Sequence, residues 1–250
     1  MPICLPSFAG VVQPAGGFSN QYSVSFDGSD DYMSFSDADA GLNTKSSATI
    51  STWINCSNTS VNQHMFGTNN KEFSGELWGT SNVLYFEMGD NKFASLNSFR
   101  TYISQDNWHH VVYVFDGSGS TNSDRIKVYI DGNLMTLSFN GTMPTSLSIT
   151  DFYISKGVYN VYFNGNQDEV ALWHSALSST QVTNIYKGEE SGGSGGTNGV
   201  PGDLSTFNPV GWWRMGDNNG GTGTTITDQG SAGNNGTLTN GPTFSTDVPS

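Results

Sequence analysis

The sequence predicts an all-β sandwich, and three observations carry that prediction. Charged residues are only 12% of the 250, and Gly (31) with Ser, Thr and Asn fills the difference. Helical bundles and α/β enzymes need Ala, Leu, Glu and Lys in quantity, so this composition argues against them. Aromatic residues reach 12%, with 10 Tyr and 15 Phe, which argues equally against disorder. Short runs alternating apolar and polar side chains recur between Gly- and Asn-rich turns, the period-two pattern of half-buried strands.

The alternation starts at once. Tyr22, Val24 and Phe26 share one face while Ser23 and Ser25 take the other. The turn FDGSDD leads into the short apolar run Tyr32–Phe35, its Gly and Asp residues being turn formers. In Ala48–Ile54, Ile50, Thr52 and Ile54 oppose Thr49, Ser51 and Trp53. Weaker strands are expected around His64–Gly67, Gly75–Gly79, Val83–Met88 and Lys92–Ser95. Trp108–Phe115 is apolar on both faces, as suits a central strand covered on each side. Arg125–Ile130 and Asn133–Phe139 flank Asp131–Gly132, the two-residue signature of a type I′ hairpin. Leu147–Lys156 and Gln167–Trp173 complete the strong strands. Only Ser178–Tyr186 reads as a helix: Ser178 and Gln181 form a capping box, and Val182, Ile185 and Tyr186 fall on one face. Many short strands and one short helix define a sandwich or jelly roll.

Composition divides the chain into four parts. Residues 1–19 read as an ordered N-terminal arm, because the apolar MPICLPSFAGVV lacks a basic region and is interrupted by Pro2 and Pro6. Residues 20–187 carry the strands. Residues 188–203, with GGSGG, have the composition of a flexible linker. Residues 204–250 are strand-like again at Val210–Met215 and Thr224–Ile226. This last segment is too short and too rich in Gly and Asn to fold alone. Trp212, Trp213 and Met215 are costly to leave in water, so it is expected to dock by strand addition on a jelly roll, its own or a neighbour's. Cys4 and Cys56, with no CxxC pattern, read as two half-buried thiols.

Four motifs occur in order at plausible spacing: FDGSDDYM, NWHHVVYVFDG, IKVYIDGN and NQDEVALWHSALSSTQVTNIY. Together they resemble the laminin G-like members of the concanavalin A-like lectin/glucanase superfamily, over about Asn20–Lys187. The resemblance implies a jelly-roll sandwich of two antiparallel sheets, one concave and one convex. The C-terminal WWRMGDNNGG and DQGSAGNNGTLTNG resemble the opening strand and turn of another such domain. A Gly/Asn-rich version of the fold with such a tail also resembles structural proteins of marine tailed phages. Many jelly rolls of this kind hold one Ca²⁺ where the first and last strands meet. Matched residue by residue, the ligands implied here are Asp27 in the N-terminal turn and Asp168 on the closing strand, with Gly28 letting carbonyls converge. Hard oxygen donors on a turn are what Ca²⁺ prefers.

The superfamily includes glycosidases, whose retaining chemistry needs two carboxyl groups about 5–5.5 Å apart. No E-x-D-x-x-E string is present, and Glu72 and Glu76, which bracket FSG, read as a solvated pair. His109 and His110 are consecutive on one strand, so they point to opposite faces and cannot share a metal. His64 and His174 read as strand or surface residues. No nucleophile elbow or phosphate loop occurs, and the chain is expected not to be an enzyme. Trp78, Tyr85, Tyr102, Tyr162 and Trp173 are the aromatic residues considered as sugar platforms, and the sequence does not select among them. The net charge of −13 and pI near 4.3 argue against a nucleic-acid or anionic-membrane partner.

Two function classes follow. The first is a non-enzymatic virion structural protein, a capsid decoration or a tail or fibre component, whose partners are other virion proteins or copies of itself. The second is an extracellular or surface glycan-binding lectin module. The absent catalytic carboxylates, the apolar arm and the tail motif place the virion role first, while the lectin role rests on the fold.

Overall fold

The computed structural model describes residues 18–250. Most of the expected N-terminal arm, with Cys4, lies outside the described residues. From the N-terminal side come β1 (Ser23–Asp27), β2 (Tyr32–Phe35), β3 (Ser47–Cys56), β4 (Asn62–Gly67), β5 (Ser74–Trp78), β6 (Val83–Glu87) and β7 (Phe93–Asn97). There follow β8 (Trp108–Asp116), one helical turn α1 (Asn122–Arg125), β9 (Ile126–Ile130), β10 (Asn133–Leu134), β11 (Ser138–Asn140), β12 (Tyr153–Ile154) and β13 (Asn164–Trp173). Helix α2 (Ser179–Tyr186) precedes β14 (Gly211–Trp213), β15 (Thr225–Ile226), β16 (Gly236–Thr239) and β17 (Thr243–Ser245).

These strands form two antiparallel sheets. The first runs β10-β9-β8-β3-β13-β1-β17, with β14 also paired to β13, and the second runs β11-β7-β6-β5-β4-β12-β2-β16-β15. Alternation along each strand sends one set of side chains into the space between the sheets. Val24, Ile50, Val111 and Tyr113 of the first sheet enter the same core as Met33, Leu77, Leu84 and Phe86 of the second. This is the all-β jelly-roll sandwich that the patterning predicts. The hairpin also forms as read, with Asp131 (φ 49) and Gly132 (φ 73) both left-handed. Ser178 caps α2 through a reciprocal capping box with Gln181.

Two expected strands change character. Asn133–Phe139 is not one strand: β10 pairs with β9 in the first sheet, whereas β11 pairs with β7 in the second. The chain crosses between sheets at this point. Leu147–Lys156 alternates in two runs of opposite parity, Leu147 and Ile149 and then Phe152 and Ile154 being buried, and most of it forms no ladder. Its backbone groups bond to loops instead, Leu147 N–H to the Lys45 carbonyl and Phe152 N–H to that of Ala38. Burial alone produces the period-two pattern there.

The C-terminal segment enters both sheets of its own chain. β14 lies on β13, β17 on β1 and β16 on β2. Consecutive tryptophans serve opposite faces of the first sheet. Trp213 joins the core between the sheets, and Trp212 joins a second apolar cluster on the outside. Trp213 is 1% exposed, its ring centroid is 4.5 Å from that of Phe35, and its Nε1 donates to the Asn234 carbonyl at 2.9 Å. Trp213→Ala is expected to cost about 3–5 kcal/mol, the range for large-to-small core changes. Urea titration of the variant beside the unaltered protein measures this.

His110 is fully buried on the outer side of the first sheet, beside Trp53 (4.8 Å between centroids) and Tyr186 (6.0 Å). Its Nε2 is 2.7 Å from the Ser51 hydroxyl. Burial lowers its pKa from 6.5 to about 4, against an opposing pull from Asp131. A depressed pKa means that this stabilisation is complete above 6.5 and is lost as pH falls toward 4. Between pH 7 and pH 5 the loss is about 2 kcal/mol. Unfolding curves at the two pH values are expected to diverge by that much more for the unaltered protein than for His110→Phe.

Candidate ligand-binding face

One sheet of the sandwich is sealed on its outer side. Leu177, Val182, Ile185, Leu204 and Phe207, from α2 and the segments flanking it, pack with Val112, Val114, Tyr129 and Trp173 of the first sheet. The second sheet leaves most outer side chains of β5, β6 and β7 partly exposed, Ser74 and Glu76 excepted. Leu84 and Phe86 point into the core, so Val83, Tyr85 and Glu87 of β6 point out. By the same alternation Glu76 and Trp78 of β5, and Phe93 and Ser95 of β7, share that outer face.

The register aligns these side chains. Glu76 stands opposite Tyr85, Tyr85 opposite Ser95, and Glu87 opposite Phe93. Trp78, Tyr85 and Phe93 form a row across three strands, edge to face, with centroid separations of 5.7 and 5.1 Å. All three are partly exposed. Such T-shaped pairs hold one another's orientation, which makes the row a preformed apolar surface.

A polar cluster lies at the foot of this row. Glu76 is 1% exposed. Its Oε2 accepts from Trp78 Nε1 at 2.5 Å, and its Oε1 lies 3.6 Å from His64 Nδ1. Burial, reinforced by the neighbouring Glu87 charge, raises the Glu76 pKa to about 9. Burial, with Lys71 nearby, lowers that of His64 to about 3. Both are therefore neutral at pH 7, and Glu87 is offset by Lys71, whose Nζ is 3.5 Å away. Gly157 closes over His64: any Cβ at that position would collide with the imidazole.

The aromatic candidates separate by position. Trp78 and Tyr85 belong to the row. Tyr162 lies outside the strands, bridged to Lys156, with its ring 6.4 Å from that of Tyr32 on β2. Tyr32 also meets Tyr153 at 5.6 Å, and Lys156 Nζ sits 4.5 Å from the centroid of each. Tyr102 is outside the sheets. Trp173 is a packing residue, 2% exposed, donating to the Phe207 carbonyl. The reading of Glu72 and Glu76 as a solvated pair is corrected: Glu76 is buried, and its carboxyl partner is Glu87. Phe93, Glu87, Lys71 and Tyr159 were not singled out by the sequence. Alternation in VLYFE and GELW shows that Tyr85 goes with Glu87 and Glu76 with Trp78. Which strands adjoin is not written there.

The structure does not bring Asp27 and Asp168 together, and this corrects the expected pair. Asp27 pairs with Asn164, while Gln167, next to Asp168, pairs with Val24. The two acids stand four positions apart along the ladder, roughly 14 Å at the strand rise of about 3.4 Å per residue. Asp27 instead meets Asp30 and Asp31, with one carboxylate oxygen from each within 4.8 Å of the others. Asp31 is buried, accepts from Asp27 N–H at 3.1 Å, and has its pKa raised by burial.

Asp168 is a structural residue. On one edge of β13, residues 164–167 pair with β1 and residues 170–172 with β14. Asp168 and Glu169 occupy the step between, where the pairing with β3 also shifts. Asp168 accepts from Asn20 Nδ2 and from Glu169 N–H, both at 2.8 Å, and burial drives its pKa well up. Glu169, left-handed at φ 45, accepts from Trp212 Nε1 at 2.6 Å and Arg214 Nε at 2.9 Å. Its pKa rises to about 7 through burial, opposed by Arg214.

An all-β sandwich sealed on one sheet and presenting aromatic side chains on the other is a lectin-like jelly roll. The chain belongs to the concanavalin A-like lectin/glucanases superfamily, whose laminin G-type profile matches residues 27–183, more than half of its length. Among solved structures it is similar to a Bacteroides ovatus protein to which carbohydrate binding is ascribed by inference. Identity is 19%, the TM-score is 0.62, and the match covers 93% of this chain and 62% of that one. This chain thus spans less than two thirds of that protein. A heptameric SAP-like pentraxin from Limulus polyphemus is similar at 17% identity and TM-score 0.51, over 66% of this chain and 82% of the pentraxin. No curated protein sequence matches.

Proposed function

We propose that this protein is a non-catalytic glycan-binding module that takes its ligand on the open sheet. The row Trp78–Tyr85–Phe93 carries this reading. Sugars offer apolar C–H faces to aromatic rings and hydroxyls to carboxylates and amides, and binding sites combine apolar walls with a few placed polar groups. Glu87, Ser95 and Asn140 stand beside the rings on the same face. Fold likeness to the Bacteroides ovatus protein supports the reading. Against glycoside hydrolysis stands the burial of Glu76, which is 1% exposed with one carboxyl oxygen taken by Trp78 Nε1, whereas that chemistry needs two carboxyl groups open to the scissile bond.

The virion role rests on the tail motif and on composition. The tail strands are used within their own chain, and the aromatic row favours a glycan on the face left open. Calorimetric titration against a panel of oligosaccharides tests the reading. Tyr85→Ala is expected to weaken binding about tenfold, equivalent to about 1.4 kcal/mol, while Tyr102→Ala leaves it unchanged. Absence of binding by the unaltered protein across the panel overturns the reading.

The same reading keeps a calcium ion, moved to the turn Asp27–Asp31. Three carboxylates within 4.8 Å supply the hard oxygen donors that Ca²⁺ takes. The ion would tie this turn down beside Tyr162, whose pKa is raised by burial and further by Tyr32 and Asp30. Calcium at 100-fold over its Kd is expected to stabilise the fold by about 2.7 kcal/mol, and Asp30→Asn to diminish that gain. Melting curves that coincide with calcium and with chelator rule the ion out.

A further inference from the structure

We propose that Ser104, His109 and Asp131 form a nucleophilic site that takes the acyl group of small esters, separate from the glycan face. The site goes beyond the glycan-binding reading and does not depend on it. Its members come from the loop before β8, from the start of β8 and from the turn between β9 and β10. They therefore meet at one end of the first sheet, and the bond concerned is an ester rather than a glycosidic bond.

The three side chains are linked in series. The Ser104 hydroxyl lies 2.9 Å from His109 Nε2, and His109 Nδ1 lies 2.8 Å from Asp131 Oδ2. The backbone settles which ring nitrogen carries the proton. The Ser104 N–H also points at Nε2, at 3.1 Å, and an amide N–H can only donate. Nε2 is therefore the acceptor, and Nδ1 carries the hydrogen given to Asp131. Asp131 is fixed twice more: its Oδ1 accepts from the His110 N–H at 2.9 Å, and its own N–H donates to the His110 carbonyl at 2.8 Å. Nucleophile, base and orienting carboxylate stand in the relation of a serine-hydrolase triad, which is defined by geometry and roles and not by sequence order. No sequence string announces it, because the three belong to separate segments.

Exposure follows the roles. His109 and Asp131 are half-buried and Ser104 is exposed, so the oxygen that reacts faces solvent while the pair that activates it is shielded. The N–H of Gln105, the residue after the nucleophile, is used by no hydrogen bond among the described residues. That position supplies an oxyanion donor in α/β-hydrolases. In the reaction Ser104 Oγ attacks the ester carbonyl carbon and passes its proton to His109 Nε2. The bond from that carbon to the leaving oxygen breaks, and the leaving group takes the proton from Nε2. Water then attacks the acyl-serine by the same route and restores the hydroxyl, so that ester and water give acid and alcohol. Gln105, Asp106 and Asn107 beside Ser104 are exposed, so no wall holds a large acid, and the Asp106 carboxylate repels an anionic one. The substrate class is an ester of a short, uncharged acid.

The test treats the full chain with a fluorophosphonate probe and with p-nitrophenyl acetate, beside Ser104→Ala and Asp131→Asn. Both variants keep the fold, since Ser104 is exposed and Asn-Gly suits a type I′ turn as well as Asp-Gly does. In Asp131→Asn the side-chain oxygen still accepts from His110, but the NH2 group faces His109 Nδ1. The imidazole must then carry its proton on Nε2 and cannot take one from Ser104. Expected are a probe adduct on the Ser104 peptide by mass spectrometry and ester hydrolysis that is lost in Ser104→Ala. Asp131→Asn is expected to slow both reactions on the order of a hundredfold or more, with a melting curve that superimposes on that of the unaltered protein. Nitrogen-15 spectra of His109 in that variant should show the proton moved from Nδ1 to Nε2, a change that a merely structural Asp131 would not couple to labelling. Absence of an adduct on Ser104, undiminished hydrolysis by Ser104→Ala, or labelling of Asp131→Asn at the unaltered rate overturns the inference. The glycan-binding reading stands or falls on the oligosaccharide panel alone.

Discussion

The guanidinium of Arg214 holds together the edge on which the first sheet depends. Strand β13 is paired along that edge by two segments from opposite ends of the chain. Arg214 Nε reaches Glu169 at 2.9 Å, and its Nη2 reaches Asp217 at 2.9 Å and the Ser19 carbonyl at 2.6 Å. Asp217 in turn accepts from the backbone N–H groups of Gln21 and Tyr22, tying the entry of β1 to the exit of β14. Burying charge is expensive unless every lone pair and proton is used. Here Asp168 is pushed toward its neutral form, and Glu169 has a donor on each oxygen.

The rest of the architecture follows from that closure. With β14 in place, Trp213 completes the core and Trp212 extends the outer cluster that α2 covers. One sheet is thereby closed to partners and the other is left available. The two faces also differ electrically. The open one contains buried acids and a histidine, yet Glu76 and His64 are both held uncharged, in opposite directions and by the same burial. An apolar row therefore stands over a nearly neutral base, although the chain as a whole is strongly acidic.

What the sequence discloses is parity, and in most strands the buried face is the one that alternation marks. Val24 and Phe26 are buried together, Asp131–Gly132 makes its turn, and Ser178 caps its helix. The fold class is legible because those signals are local. Register is not local, and the errors gather there. Asp27 and Asp168 lie on neighbouring strands as expected, but four positions out of step. Glu76 has Glu72 as its nearest acid in the chain, but the carboxyl beside it is that of Glu87 on the next strand. Asn133–Phe139 looked continuous because a crossover between sheets leaves the alternation intact. The acids around Arg214 gave no warning, since their partners come from residues 19–22 and 212–217.

The pairing of β1 with β17 has a mechanical consequence. Ser23 stands opposite Ser245 and Ser25 opposite Thr243, so the two strands run side by side with their outer ends together. A force separating residue 23 from residue 245 acts at right angles to the strands and breaks their hydrogen bonds one after another. Sheared strands would instead share the load among all bonds at once. β17 has three residues, so it peels first and at low force, exposing β1 and then the Arg214 edge. Held by these two ends the sandwich behaves as a zipper.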